Sequence, residues 1–540
     1  MGQGALVGPV DAARRRLMTA AALAPLVGCS RQALHYDGGW VGAQHERGHR
    51  LRELKSGSLP APAAQRRAGV LIVGAGIAGL SCARTLIRQG VDDVHLLELE
   101  DVAGGNSRGH RIAGMGCPLG AHYLPVPGEH ADEVAELMDD LGLRRQVAGQ
   151  WVYDERHLCH TPQERLFIHG QWHEGLLPPV DALPAAERGA TLEQYRRFAQ
   201  LVTEAGANQA FTMPTWRSRW TDTLAALDAQ TFAAWLDQHQ LTAPALRWYL
   251  DYCCRDDYGG NAGDVSAWAG LHYFASRHGF HAPGMDREER DGILTWPEGN
   301  AWLAQRLIQP LGDRIHTGML AMRVSPGRED VAVHAWNARE NRIEQWTARH
   351  VVMAVPLFLA ARLIDAPPVA LAEIAPRMRY APWLVANLHI DRALDDHPGP
   401  ELSWDNVLYG SPCLGYVDDM HQSTRPYPDA TVLTSYWAWS DQREHRQSLL
   451  TMPWRERSAQ VIAELAVAHP DLPAKVRRVD LMRYGHAMSI PAPGIRSHAA
   501  LRALQAPTGR LSFAHADLSG YSVFEEACFH GVRAARDLQT

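Results

Sequence analysis

The chain has 540 residues, 46% hydrophobic and 21% charged, an ordinary globular composition that excludes general disorder and is long enough to expect two domains. Its formal net charge of −7 excludes the overall basic field on which nucleic-acid binding draws. Positive charge is almost all arginine, Lys55 and Lys475 being the only lysines, and the eight cysteines include no C-x-x-C pair, so no disulfide framework can be assigned.

Arg14, Arg15 and Arg16 precede Leu17-Met18 and an uncharged apolar run that ends at Leu26-Val27-Gly28-Cys29. A basic start, a short apolar stretch and a small-residue exit read as an export signal rather than a membrane span. The arginines resemble a twin-arginine signal, which exports folded proteins and so predicts a periplasmic or periplasm-facing location. Leu26 to Cys29 resemble a lipoprotein signal, which would make Cys29 a lipid anchor. Residues 30–67 show little periodicity and read as a linker.

Residues 70–73 form a short β-branched-rich apolar run, as expected of a strand buried on both faces of a parallel sheet. Gly74, Gly76 and Gly79 then follow in the spacing G-x-G-x-x-G, interleaved with Ala75, Ile77 and Ala78. A helix is predicted over 77–88, stopped at Gly90. Gly74 suits the tight turn, Gly76 the close approach of a pyrophosphate, and Gly79 close packing of helix on strand. The open N–H groups of the first helical turn would hold the anion. A second strand over 94–97 ends at Glu98, placed to take a ribose hydroxyl. This predicts a dinucleotide-binding β-α-β unit, in a motif common to FAD and NAD.

Leu99 and the pair Gly104-Gly105 with Asn106 follow. Together with the preceding motifs, this pair resembles the flavin-containing amine oxidase superfamily, which includes monoamine, polyamine and protoporphyrinogen oxidases and carotenoid desaturases. The resemblance implies FAD, with the paired glycines along its pyrophosphate. Gly120, Ala121, His122 and Tyr123 are similar to a run that passes the flavin ring. Residues 351–356, with Ala354, resemble the strand returning to the nucleotide domain, and residues near Ala321 would touch the adenine. Residues 511–517 and 520–535 resemble the closing strand, acidic residue and helix at the flavin pyrimidine end. This places Asp517, Val523 and Phe524 at the cofactor. The family glycine before the acid is His515 here, and the acid itself falls one residue late.

In the middle of the chain, a helix is predicted over 131–143 and a hairpin over 156–174. Helices are read at 224–238, 243–251 and 458–469, and strands at 315–335, 342–354, 379–391 and 431–440. His157, Cys159, His160, His169 and His173 lack a metal-ligand spacing, so no metal site is predicted. Cys253-Cys254 read as two buried thiols. Asp251, Asp256, Asp257 and Asp264 read as a solvated helix end, with attraction of a cationic amine as the competing reading.

The fold class expected is α/β, a discontinuous G-x-G-x-x-G Rossmann-type FAD-binding domain (68–125, 290–365 and 480–540) with an α+β substrate domain inserted (126–289 and 366–479). The resemblance implies hydride transfer from an organic substrate to flavin, which O2 or another acceptor would reoxidise. No cysteine or histidine sits at a recognisable attachment motif, which favours non-covalent FAD. The lysine of family amine oxidases is missing, and Tyr521 or Val523, with Tyr484 or His486, would wall the substrate. His122, Tyr484 and Tyr521 are the catalytic candidates. An amine and a larger apolar substrate both stay open, as does a non-catalytic flavin-binding accessory role.

Overall fold

The computed structural model describes residues 35–53, 59–207, 210–285, 292–395, 397–423 and 429–538. The expected export signal, with Cys29, lies outside the described residues. Two large sheets organise the chain. The first has seven strands in the order Ile315–Thr317, Val94–Glu98, Ala64–Val73, Arg342–Met353, Val331–Asn337 and Met319–Pro326, with Leu511–Phe513 pairing beside Arg342–Met353. Its centre is parallel, as the buried run Val70 to Val73 requires. Met319 to Met353 form an antiparallel meander on one side.

Helix Ile77–Arg88 covers one face, together with the final helix Phe524–Asp537 and Asp132–Asp140. The two long helices meet closely because Gly531 has no side chain: a Cβ there would lie 2.2 Å from the Ala78 carbonyl oxygen. Leu357–Leu363 and Val369–Ile374 pack on the other face.

The second sheet has eight strands, in the order Asp37–Trp40, Val476–Ile490, Arg379–Ile390, Thr431–Ala438, Tyr416–Asp418, Asp405–Leu408, Glu164–Ile168 and Gln171–Glu174. Helices Ala185–Gly206, Phe232–Gln238, Pro244–Tyr258 and Ala267–His272 form its apolar partner on one side, and Trp454–Leu465 covers the other.

Four sequence expectations change here. Residues 30–67 are not simply a linker: Asp37–Trp40 is an edge strand paired in parallel with Arg478 to Leu481, and His45–Glu53 is a helix. Val476–Ile490 belongs to the eight-stranded sheet, so that sheet continues ten residues past the expected boundary at 480. The helix read over 224–238 is two, Asp222–Asp228 and Phe232–Gln238, because Thr231 caps the second by accepting from the Ala234 N–H at 3.2 Å. The helix read over 243–251 continues to Tyr258. That extension carries Asp256 and Asp257 inward.

Candidate active site

A cavity of about 630 Å³ lies where the two sheets meet. One end is built from backbone. Gly76 begins helix Ile77–Arg88 with no side-chain cap, leaving the first-turn N–H groups free for an anion. Gly74 has φ +104°, and a Cβ there would lie 2.4 Å from the Ala354 carbonyl oxygen. At Gly79 a Cβ would lie 2.0 Å from the Gly74 oxygen. Gly76 and Gly104 form a parallel bridge, and the Gly104 N–H donates to Ala75 at 2.8 Å. The two glycine runs are thus one surface of bare main chain, as a diphosphate requires.

Glu98 ends its strand inside this cradle. Its carboxylate accepts from the Ala75 and Glu100 N–H groups, both at 2.9 Å. Burial holds its pKa above the ordinary carboxylate value. Gly74, Gly76, Ile77, Ala78, Leu99, Gly105 and Asn106 line the cavity, as do Gly120, Ala121, His122, Tyr123, Ala321, Ala354, Asp517, Val523 and Phe524. Ala75, Gly79 and Gly104 lie behind the lining, where they shape the turn.

Asp517 is fully buried. One carboxylate oxygen accepts from the Leu357 N–H at 2.9 Å and the Tyr380 hydroxyl at 2.5 Å; the other has no hydrogen-bond donor and lies 3.2 Å from His515 Nδ1. Burial pushes this carboxyl up, but His515, Tyr380 and the Leu357 N–H outweigh it and hold it below the usual value. Val523 is extended and precedes the final helix.

The other end is built from side chains. Across three neighbouring strands, Trp383 pairs with Tyr484 and Val385 with Tyr436, so all four project from one face. His122 stacks on Tyr436 with ring centroids 4.5 Å apart. Burial drives its pKa down to about 3, so the imidazole is neutral and acts as an aromatic wall rather than a titrating acid. Tyr484 presents its ring, but its hydroxyl donates to the Leu119 carbonyl at 2.8 Å. Tyr521 corrects an expectation: it does not line the cavity. It is fully buried beneath it, edge-on to Tyr258, with its hydroxyl 3.7 Å from Met213 Sδ.

Sequence reading missed Trp383 and Tyr436, whose face is set by strand register, and also the charged group beside them. Arg277, on a π-helical turn at Tyr273–His278, pairs with Asp257 and with Glu525 at 3.3 Å. Asp256 also lines the cavity. No described residue donates a hydrogen bond to its carboxylate, and burial, then Asp257, pushes its pKa up to about 7. The expectation of a solvated helix end therefore fails for these two aspartates. It holds better for Asp251 and Asp264, which pair with Arg255 and Arg379. No lysine lines the cavity among the described residues.

Helix His45–Glu53 closes the mouth with His45, His49, Leu51 and Arg52. Arg47 donates to the Leu99 carbonyl at 2.6 Å, and the Gln44 N–H to the Glu100 carboxylate at 3.0 Å.

Among curated proteins, a putrescine oxidase of Kocuria rosea is 30% identical over 174 residues, covering 32% of this chain and 31% of that protein. AofH of Mycobacterium tuberculosis, whose assignment as a flavin-containing monoamine oxidase is provisional, is 26% identical over 300 residues, 53% of this chain and 56% of its own. The chain thus spans about half or less of the length of these relatives. A putrescine oxidase structure with bound putrescine covers 88% of this chain and 99% of its own at 18% identity and TM-score 0.64. Cyclohexylamine oxidase from Brevibacterium oxydans does so over 88% and 100% at 20% identity and TM-score 0.63. These structures share the fold. Residues 77–539 match the flavin containing amine oxidoreductase family, and with the match covering most of the sequence the chain belongs to that FAD-dependent family.

Proposed function

We propose that the chain is an FAD-dependent oxidoreductase acting on an amine, which binds as its ammonium ion at the charged end of the cavity. The observation that carries this reading is Asp256, a carboxylate lining the cavity with no hydrogen-bond donor among the described residues. Asp256 is half-buried on the cavity wall, and an ammonium ion would give its unpartnered carboxylate both an opposite charge and hydrogen-bond donors. A large apolar substrate would leave Asp256 unpaired, so the side chains disfavour desaturase-like chemistry. The same argument gives the cavity a substrate to hold, against an accessory role.

Bound FAD would supply the two-electron acceptor and pass the electrons to O2 or another acceptor. The cradle of Gly74, Gly76 and Gly105 would hold its diphosphate, Glu98 a ribose hydroxyl, and the second oxygen of Asp517 a ribitol hydroxyl. Tyr436, Trp383, Tyr484 and His122 would exclude water and fix the substrate carbon. Asp256 would bind the ammonium and accept a proton as the neutral amine forms. Anaerobic addition of short alkyl amines and diamines should bleach the flavin band; bleaching by apolar substrates alone would overturn the amine reading.

Export through the twin-arginine route, with lipid attachment at Cys29, belongs to the same proposal. Its support is the leader pattern together with helix His45–Glu53, since a cavity closed by the N-terminal segment is best filled before export. Among the described residues, no helix is long and apolar enough to cross a membrane. Membrane-fraction recovery of the wild type, and its loss in Cys29→Ala, tests the anchor.

A further inference from the structure

Outside the cavity lining, at the outer edge of the eight-stranded sheet, three polar atoms are buried without partners among the described residues: His397 Nε2, His469 Nδ1 and Asp471 Oδ1. One potential ligand atom from each residue lies within 4.8 Å of the others. Buried polar atoms usually find a partner in the protein or an ordered water, so unpartnered atoms on three residues whose ligand atoms gather this closely mark a place for a ligand. None of the three residues lines the cofactor cavity.

Each of two ligands is oriented from behind. His469 is 1% exposed, and its Nε2 lies 2.7 Å from the Tyr416 hydroxyl. With the Nε2 proton donated to that oxygen, the Nδ1 lone pair points into the cluster. The far oxygen of Asp471 accepts from the Asp395 N–H at 2.9 Å and pairs with Lys475 Nζ at 2.6 Å. Lys475 also pairs with Asp395 and donates to the Ala393 carbonyl, so its charge is already matched. Such outer partners hold ligands in place in metal sites. The His397 ring lies 5.6 Å from that of His469.

We propose that His397, His469 and Asp471 form a binding site for a divalent transition-metal ion of the zinc class, with a fourth position left for water. Two imidazoles and one carboxylate suit zinc or its first-row neighbours and are poor for calcium or magnesium, which prefer oxygen. Tetrahedral ligands at ~2.1 Å from zinc stand about 3.4 Å apart, so the three groups close by roughly 1 Å on binding. The ion would tie the loop after strand Arg379–Ile390 to the turn after helix Trp454–Leu465, at the sheet edge where Trp172 packs on His469. None of the three residues lines the cofactor cavity, so the ion takes no part in the flavin reaction and instead holds these two chain segments together.

The test uses the full holoprotein without a histidine tag, stripped with chelator, incubated with ZnCl2 and dialysed. Metal analysis should then find one zinc per chain, and zinc should raise Tm by a few degrees. The variants His397→Ala and Asp471→Asn, chosen because His397 lies on a loop and Asn keeps the shape of Asp, should each lose the zinc and its Tm shift while keeping the flavin spectrum. Magnesium should give no shift. No retained zinc in the wild type, or equal retention in both variants, would overturn the site. Flavin content and turnover are read separately, so failure here is distinct from failure of the amine reading.

Discussion

At one end of the cavity the groups facing a ligand are peptide units; at the other they are rings and carboxylates. The first end comes from a short run of chain, Gly74 to Gly105, folded on itself. The second is assembled from residues as distant as Tyr123, Asp256, Trp383, Tyr436 and Tyr484. Backbone can hold a diphosphate whatever the substrate, because the N–H array is independent of side chains. Only side chains can select an amine, so the two ends should fail differently when altered.

The largest effect is expected at the backbone end. In Gly79→Ala the new Cβ would meet the Gly74 oxygen at 2.0 Å. The turn and the helix start cannot both keep their places, and overpacking of this kind costs about 1–3 kcal/mol. Flavin occupancy should fall about tenfold or more, read as the ratio of flavin to protein absorbance. A variant that is folded and fully yellow would break the contrast between the two ends.

Next is Asp256→Asn, which should leave flavin content intact. Losing a charge-assisted contact of ~1.5–3 kcal/mol predicts a fall in kcat/KM of roughly 10- to 100-fold for cationic amines. The wild type adds a pH signature. Below about 7 the Asp256 carboxyl is protonated and above it ionised, so KM for an alkylammonium should fall as pH rises through that value. The Asn variant should lack this limb, while the substrate's own deprotonation at higher pH remains. An unchanged KM profile would place the ammonium elsewhere.

The two ends also differ in how far the amino-acid sequence alone reveals them. The glycine spacing, Glu98 and the pair Gly104-Gly105 are legible because contacts local in sequence set them. The substrate wall depends on strand register: Trp383 and Tyr436 become neighbours only once residues 379–390, 431–438 and 476–490 are aligned. Asp256 is hidden because apolar periodicity fades at Cys253, Cys254 and Arg255, although Pro244–Tyr258 continues as one helix into the cavity wall. The edge strand Asp37–Trp40 is invisible for a stronger reason. Four residues rich in glycine carry no strand pattern, and their partner, Arg478 to Leu481, lies at the far end of the chain.

That N-terminal segment spans both ends and offers an intermediate test. Arg47 donates to the Leu99 carbonyl beside Glu98 and pairs with Asp101. Arg47→Ala should weaken FAD retention about 2- to 10-fold, the effect of an ordinary hydrogen bond of ~0.5–1.5 kcal/mol, since Arg47 acts through the backbone beside Glu98 rather than on FAD itself. Because it touches nothing at the side-chain end, kcat at saturating FAD should hold. A parallel loss of kcat would mean that the helix also shapes the substrate wall.

The smallest effect belongs to Tyr521. Its ring fills space against Tyr258, Trp268 and His272, and among the described residues its hydroxyl reaches Met213 Sδ at 3.7 Å and His272 Nδ1 at 3.5 Å. Both are weak partners at those distances. Tyr521→Phe keeps the ring volume, so the stability change should stay below ~1.5 kcal/mol and turnover should match wild type. Tyr521→Ala would open a cavity beneath the substrate wall and cost about 3–5 kcal/mol in Phe-like terms. The pair of variants separates packing from chemistry: a Phe variant that loses turnover while keeping its Tm would return the hydroxyl to the reaction. Equal turnover keeps Tyr521 as support for the wall that Tyr484, Trp383 and Tyr436 present.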